Sequence, residues 1–222
     1  MRSFKYLYLV LIILLFIFLS LSKWGEQGDL FQAYRISLET GVPNAVSGIY
    51  LQNRLYDTVF EVTVFSVAIS GALFFLGWRG KYRLDKKINA DAPMIMMLKG
   101  AAFLSFVFGC ALVLVGHLSP GGGFAAGVAL ATSMVIQSLL DEKNRLTGYL
   151  SSHDPEKIEK SAWLLIILIS AFTCAGLYLP KGLYGTVLSG GWIPFLNVLI
   201  GIKVGLGAWA LSMGFLEHRW IF

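Results

Sequence analysis

Residues 93–140 decide the fold class, and they read PMIMMLKGAAFLSFVFGCALVLVGHLSPGGGFAAGVALATSMVIQSLL. Two apolar segments flank a short turn rich in proline and glycine, and Lys99 is the only Lys, Arg, Asp or Glu in the stretch. A membrane-spanning helix needs about 20 mostly apolar residues, because the hydrocarbon core is about 30 Å thick and a helix rises about 1.5 Å per residue. The stretch therefore predicts two membrane helices joined by a tight turn.

The rest of the chain repeats this pattern. Of 222 residues, 56% are hydrophobic and 14% are charged, whereas a soluble domain has about 45–50% apolar and about 25% charged residues. This composition excludes an ordinary soluble enzyme and predicts an all-α, polytopic membrane protein of about six transmembrane helices. The predicted spans are Lys5–Leu21, Tyr56–Trp78, Pro93–Gly116, Gly122–Leu140, Ala162–Leu179 and Trp192–Phe215.

Basic residues indicate the orientation, because cytoplasmic loops carry an excess of Lys and Arg. Most of them fall on one side of the predicted spans, namely Arg2, Lys5, Arg79, Lys81, Arg83, Lys86, Lys87, Lys143, Arg145, Lys157, Lys160 and Arg219. The other side has only Lys23, Arg35, Arg54 and Lys181. Both termini are therefore predicted in the cytoplasm. The orientation in the membrane explains the net charge of +5 better than a nucleic-acid-binding surface does.

Two loops are long enough to have structure of their own. The loop Trp24–Leu55, predicted on the outer side, contains two amphipathic stretches at 29–36 and 44–55 that favour interfacial or re-entrant helices. In the inner loop 141–160, Asp154 and Pro155 have the residue types of a helix cap and a first helical residue. We expect a short extension of the fifth span there.

Four ionisable residues fall within predicted spans: Asp57, Glu61, Lys99 and Lys203. A charge at mid-bilayer costs about 2.5–3.5 kcal/mol, so each is a functional candidate. Asp57 and Glu61 share one helix face, with Glu61 about 7–8 Å below the outer end, Lys203 near the middle and Lys99 about 9 Å from the inner end. These staggered depths argue against direct salt bridges among Glu61, Lys203 and Lys99, and they suit a hydrated path for protons or cations. Alternatively, Asp57 and Lys99 reach the interfaces while Glu61 and Lys203 bind neighbouring subunits.

The turn between the third and fourth spans carries His117, Pro120, Gly121, Gly122, Gly123 and Phe124. Its glycines allow either an anion site made of backbone N–H groups or, more simply, a tight hairpin between closely packed helices. The spacing Gly123-x-x-x-Gly127 favours the hairpin. A second such pair, Gly201 and Gly205, brackets Lys203 and predicts that this lysine faces a neighbouring helix and not lipid.

Two groups of motifs resemble one family. The stretch Asn44–Ile49, followed by Arg54-x-Tyr56-Asp57-Thr58-x-x-Glu61, resembles the carboxy-terminal region of the large subunit of Mrp-type multisubunit sodium/proton antiporters, which is a separate small subunit in membrane-bound hydrogenases. The stretch Gly116-His117-x-x-Pro120-Gly121-Gly122-Gly123-Phe124-x-x-Gly127 resembles the signature of the antiporter B subunit. The chain departs from the first pattern at Gln52, Asn53, Leu55 and Phe60.

The resemblance implies a fusion of two modules. Residues 1–90, with the outer loop 24–55, form a two-helix module, and residues 91–222 form a four-helix, B-like module. It also implies Glu61 as an intramembrane acid with Asp57 as its companion, and Lys203, Pro120 and Phe124 as B-subunit positions that matter for activity or assembly. The implied partners in the cell membrane are other Mrp-like subunits (A, C, D, E, F and G-like) and a peripheral hydrogenase or other oxidoreductase arm.

Two functional hypotheses follow: a subunit that translocates H⁺ or Na⁺, with Glu61, Lys203, Asp57 and Lys99 in the path, or a purely structural subunit of the same complex. An intramembrane enzyme finds little support, because no Ser-Lys, Asp-Asp or metal-ligand pair has a workable helical spacing. Cys110 and Cys174 lie apart in apolar stretches and suggest neither a disulfide nor an iron–sulfur cluster. We therefore expect no metal, no cofactor and no catalytic centre in this chain, and assign redox chemistry to its partners.

Overall fold

The computed structural model describes residues 30–77, 91–140, 148–149 and 152–219. The chain divides into a unit of residues 1–35, of which only 30–35 are described, and a unit of residues 36–222. All regular structure in the described ranges is helical, which confirms the all-α class. The elements are α1 (Leu30–Thr40), α2 (Ala45–Gly48), a π-helix (Ile49–Asn53), α3 (Leu55–Phe75), α4 (Ala92–Val115), α5 (Gly123–Leu140), α6 (Pro155–Cys174) and α7 (Ile193–Arg219).

Four of these helices, α3, α4, α5 and α7, are long and apolar enough to cross a membrane. Each begins and ends within a few residues of a predicted span. The predicted first span, Lys5–Leu21, lies outside the described residues, so the total of six spans and the placement of the termini stay predictions.

Helix α6 differs from the predicted fifth span, Ala162–Leu179. It begins at Pro155 as expected, but it ends at Cys174 because Gly176 adopts a left-handed conformation (φ 79°) that terminates the helix. Asp154 occupies the predicted cap position, but its side chain makes no capping hydrogen bond, and its carboxylate pairs with Lys157 at 2.5 Å. Charged residues fill the first turns of α6, which keeps it outside the set of helices apolar enough to span a membrane.

Helix α7 is the centre of the bundle and contacts α3, α4, α5 and α6. More than half of the apolar stretch of α7 is buried within the chain (56%), compared with 17% of the apolar stretch of α3 and of α4. A helix that is apolar on all sides packs in a core or faces lipid. The exposed apolar faces of α3 and α4 therefore suit lipid or neighbouring membrane subunits.

Glycines set the close contact between α5 and α7. A Cβ atom at Gly127 would lie 2.6 Å from Cβ of Val204, and one at Gly123 would lie 2.5 Å from the backbone carbonyl oxygen of Asn197. Such short separations are impossible for a real side chain, so these helices require glycine where they cross. The spacing Gly123-x-x-x-Gly127 therefore packs α5 against α7, whereas the predicted hairpin of α4 and α5 is close at Gly109, where a Cβ atom would lie 2.8 Å from the Leu130 side chain.

The short helices before α3 attach to the turn between α4 and α5. Asn44 Nδ2 donates to the carbonyl oxygens of Gly116 (2.8 Å) and Ser119 (2.7 Å), and Ser47 Oγ donates to Gly116 (3.0 Å). Asn44 Oδ1 also caps α2 by accepting from the N–H groups of Val46 and Ser47. The predicted amphipathic stretches are thus helical, and the second is tied to the glycine-rich turn.

Candidate functional site

A buried ion pair lies at the centre of the candidate site. Lys203 on α7 is fully buried (0% exposed), and its Nζ forms an ion pair with Oε1 of Glu159 on α6, whose side chain is 16% exposed. Removing two charges from water costs several kcal/mol per ion, so each depends on the other. The prediction that Lys203 faces a neighbouring helix is confirmed, and its partner is a residue that sequence reasoning assigned to a cytoplasmic extension.

An aromatic ring and a glycine complete the surroundings of the pair. Lys203 Nζ lies 5.2 Å from the centroid of the Phe65 ring, within the range of a cation–π contact. A Cβ atom at Gly207 would lie 2.8 Å from Cδ1 of Ile69 and 3.3 Å from the Phe65 ring. Gly207 therefore leaves room for these two side chains beside Lys203.

Phe65 also lines an open cleft of about 870 Å³. We call this the Glu61 cleft, and its lining residues are Tyr50, Arg54, Asp57, Phe60, Glu61, Val64, Phe65, Ala68 and Phe124. Within it, Arg54 and Asp57 form an ion pair at 2.5 Å with both side chains substantially exposed. Glu61 is exposed, and none of the described residues donates a hydrogen bond to its carboxylate.

A second cavity of about 390 Å³ joins Glu61 to the glycine-rich turn. We call it the Asn197 cavity, and its lining residues are Val46, Ser47, Tyr50, Leu51, Thr58, Glu61, Gly121, Gly122, Gly123, Phe124, Ala125, Asn197 and Ile200. The two groups of motifs that the sequence analysis singled out therefore meet at one cavity.

A third cavity of about 230 Å³ lies beside the ion pair, at the Pro155 end of α6. It is lined by Glu159, by Glu156 and Lys160 of the same helix, and by residues of α3 and α7. We call it the Glu159 cavity. Glu61 and Glu159 thus each line a cavity, and a series of neighbours links them: Phe65 lines the Glu61 cleft and contacts Lys203, which pairs with Glu159.

The structure brings together only some of the residues predicted for an ion path. Glu61 and Lys203 are linked through Phe65, and Asp57 lies in the Glu61 cleft. Lys99 is exposed on α4 and lines none of the three cavities named above. The expectation that Glu61, Lys203 and Lys99 form no direct salt bridges with one another holds for the described residues.

In the turn motif, Gly121, Gly122, Gly123 and Phe124 line the Asn197 cavity, while Pro120 is exposed. His117 is fully buried, and within the described ranges neither ring nitrogen has a hydrogen-bond partner. Burial lowers the pKa of His117 below its ordinary value of 6.5. The nearby backbone of Thr186 and Val187 raises the pKa, but by less than burial lowers it, and it forms no hydrogen bond with either ring nitrogen.

Sequence reasoning missed three residues of this site: Glu159, Phe65 and Asn197. A signal for Glu159 exists, because a helix that begins at Pro155 places residues 159, 162 and 166 on one face, and Ala162 and Ile166 are buried. Asn197 stands four residues before Gly201 and is the only amide side chain in α7. Phe65 carries no such signal, since aromatic residues are common in membrane helices.

Comparison with known proteins identifies the family of the chain. Residues 93–210 match the family described as "Domain related to MnhB subunit of Na+/H+ antiporter". An uncharacterized protein of Methanocaldococcus jannaschii is 25% identical over 199 residues, covering 75% of this chain and 74% of the relative.

Among solved structures, a chain from the structure of the membrane-bound sulfane sulfur reductase, an archaeal respiratory membrane complex, has the same fold. The TM-score is 0.71 at 24% identity, with 97% of this chain and 98% of that chain covered. The family match extends over more than half of the sequence and includes both the turn motif and Lys203. The chain therefore belongs to the family of domains related to the MnhB subunit of Na⁺/H⁺ antiporters.

Proposed function

We propose that this chain is a membrane subunit of an Mrp-like cation/proton antiporter module, and that it contributes to H⁺ or Na⁺ translocation coupled to a respiratory redox complex in the cell membrane. Family membership supports the antiporter module. The shared fold with a chain of an archaeal respiratory membrane complex supports the redox coupling. In this proposal the chain carries no catalytic centre, and redox chemistry belongs to a peripheral hydrogenase or oxidoreductase arm.

The observation that carries the proposal is the buried Lys203–Glu159 pair and its links to two cavities. A fully buried lysine in a membrane helix is expensive and is by default a functional residue with a partner. Glu159 lines the Glu159 cavity, and Lys203 contacts Phe65, which lines the Glu61 cleft. This order of charged groups suits transfer of an ion or proton in steps between the two sides of the bundle.

The roles differ among the residues predicted for the path. We propose Glu61 as the acid that exchanges ions with one cavity, Lys203 with Glu159 as the central relay, and Asp57 as a companion that holds Arg54 near Glu61. Lys99 lies apart from this series, and we propose that it contacts a neighbouring Mrp-like subunit. The fusion of a module at residues 1–90 with a B-like module at residues 91–222 belongs to the same proposal, and the Asn197 cavity, which both line, supports it.

Ion flux in vesicles tests the proposal. We expect Glu61→Gln and Lys203→Ala to leave the complex assembled on native gels while H⁺ or Na⁺ gradients fall. Lys157→Ala is a matched control, because Lys157 is exposed (80%) and lines none of the three cavities. Normal gradients in both variants would overturn the proposal, and dissociation of the complex in both would favour a purely structural role.

A further inference from the structure

We propose that the seam between α4 and α5 at Lys99 and Gln137 docks a membrane helix of a neighbouring subunit, and that this helix carries an Asp or Glu that pairs with Lys99. The inference rests on the proposed function, in which Lys99 contacts a neighbouring subunit, and it assigns the chemistry of that neighbour. It follows from the position of Lys99 in α4, from the alignment of the two helices and from the charge of the exposed seam.

Lys99 lies in a membrane helix, yet none of the described residues supplies its counter-charge. It is exposed on α4, forms no ion pair or hydrogen bond with the described residues and lines none of the three cavities. Ionisable residues in membrane helices almost always pair with one another or face the bundle interior or a water-filled cavity. A neighbouring subunit is therefore expected to supply the counter-charge.

The depth of Lys99 favours a protein partner over a lipid head group. Residues 92–98 are all apolar and separate Lys99 from Asp91, so it lies about 10 Å along α4 from Ala92. Met96 and Phe103, about one turn before and after Lys99, are 78% and 65% exposed. This apolar face suits the hydrocarbon core of the membrane, whereas lipid head groups lie outside that core.

Lys99 and Gln137 flank the same side of the contact between α4 and α5. These helices are antiparallel, and Ser133 Oγ on α5 donates to the Ala102 carbonyl on α4 at 2.7 Å. Lys99 precedes Ala102 by three residues and Gln137 follows Ser133 by four, which places both about one turn further along, at one level. At 3.6 residues per turn, the two positions are rotated by about 60° and about 40° to the same side of the seam. Both residues are exposed there.

The seam is cationic and open to a neighbour. Lys99 is the only Lys, Arg, Asp or Glu in α4 and α5. Gln137 Nε2 donates to Ser133 Oγ at 3.0 Å, so its Oε1 is left as an acceptor beside the ammonium group. Only 17% of the apolar stretch of α4 is buried within the chain, which leaves room for another helix. An otherwise apolar helix with one carboxylate complements this face in both polarity and charge.

Cross-linking in the complex purified through this chain tests the pairing. Dicyclohexylcarbodiimide activates carboxyl groups in apolar surroundings, and an adjacent lysine amine then forms an amide bond that mass spectrometry locates. We expect a cross-link between Lys99 and an Asp or Glu in a membrane helix of another subunit. Lys99→Arg is the matched control, because the guanidinium group keeps the charge but does not form this amide. This variant should assemble normally and lose the cross-link.

Charge reversal tests whether the pair contributes to docking. In Lys99→Glu two carboxylates oppose each other, so we expect recovery of the cross-linked subunit with this chain to fall roughly tenfold or more. Replacing the cross-linked acid by Lys should restore the recovery, which separates a broken pair from a failure of Lys99→Glu to insert into the membrane. Lys157→Glu reverses an exposed charge on α6 outside the seam and should retain every subunit.

The outcomes separate this docking seam from the ion pathway. A wild-type complex in which Lys99 forms no cross-link to another subunit would overturn the inference in favour of lipid head groups. Full recovery of every subunit with Lys99→Glu, or a loss that the charge swap does not restore, would also overturn it. In each case the flux of Lys203→Ala, measured with Lys99 intact, would still test the ion pathway by itself.

Discussion

Glu159 reaches the fully buried ammonium group of Lys203, so that a side chain from the charged beginning of α6 pairs with the interior of the central helix. A buried ion pair is weak evidence for stability, because apolar residues of similar volume often stabilise a protein as well or better. The pair also adjoins a cavity and the Phe65 ring, which lines a second cavity. Its location beside these cavities is the reason that we propose a role in ion transfer for the pair.

Because α5 and α7 are in close contact at their glycines, we expect one added methyl group there to destabilise the protein strongly. Gly127→Ala would place Cβ 2.6 Å from Cβ of Val204. We expect the free energy of unfolding to fall by about 1–3 kcal/mol, the usual cost of overpacking. Gly100→Ala is the matched control in α4, because its added Cβ would have no atom within 4 Å apart from its chain neighbours and the backbone of its own helix. Thermal unfolding of the purified complex measures both, and equal unfolding temperatures would contradict the tight crossing.

The attachment of α2 to the glycine-rich turn is tested by Asn44→Asp. This change keeps the oxygen that caps α2 but removes the two hydrogen bonds to Gly116 and Ser119 and places a carboxylate near their carbonyl oxygens. We expect a loss of about 1–3 kcal/mol in unfolding free energy. Asn53→Asp, at an exposed position, should have little effect. Equal stability of the two variants would show that the attachment contributes little.

The burial of His117 leads us to expect that acid destabilises the fold. Its pKa in the folded state is lowered by burial, so below the ordinary value of 6.5 the unfolded chain binds a proton more readily than the folded chain. The stability associated with the neutral ring is therefore present above that value and is lost as the pH falls toward the lowered pKa. Unfolding temperatures between pH 5 and 8 should depend less on pH in His117→Gln than in the wild type. His153→Gln, which changes an exposed histidine, should retain the wild-type dependence.

The sequence predicts the membrane helices well because their ends are marked chemically. Proline and glycine stand at the boundaries of α4 and α5, and the apolar length between them leaves little freedom. The burial of Lys203 is predictable for a related reason. Gly201 and Gly205 on either side of it allow a neighbouring helix to approach.

The sequence does not identify the partner of Lys203. Glu159 follows Glu156 and Lys157 in a charged run, which is typical of a solvated helix end. Helical spacing places it on one face with Ala162 and Ile166, but its pairing with Lys203 depends on which helix packs beside α6. That packing is set by tertiary structure, as is the meeting of Glu61 and Asn197 at one cavity.

Ion flux in vesicles that contain the double variant Lys203→Met, Glu159→Gln tests the central claim most directly. Either substitution alone leaves a buried group without its partner and is expected to cost this chain about 3–5 kcal/mol of folding free energy within an assembled complex. The double variant removes both charges, so we expect near-normal assembly on native gels together with loss of H⁺ or Na⁺ flux. Wild-type flux in a fully assembled double variant would contradict the proposed relay.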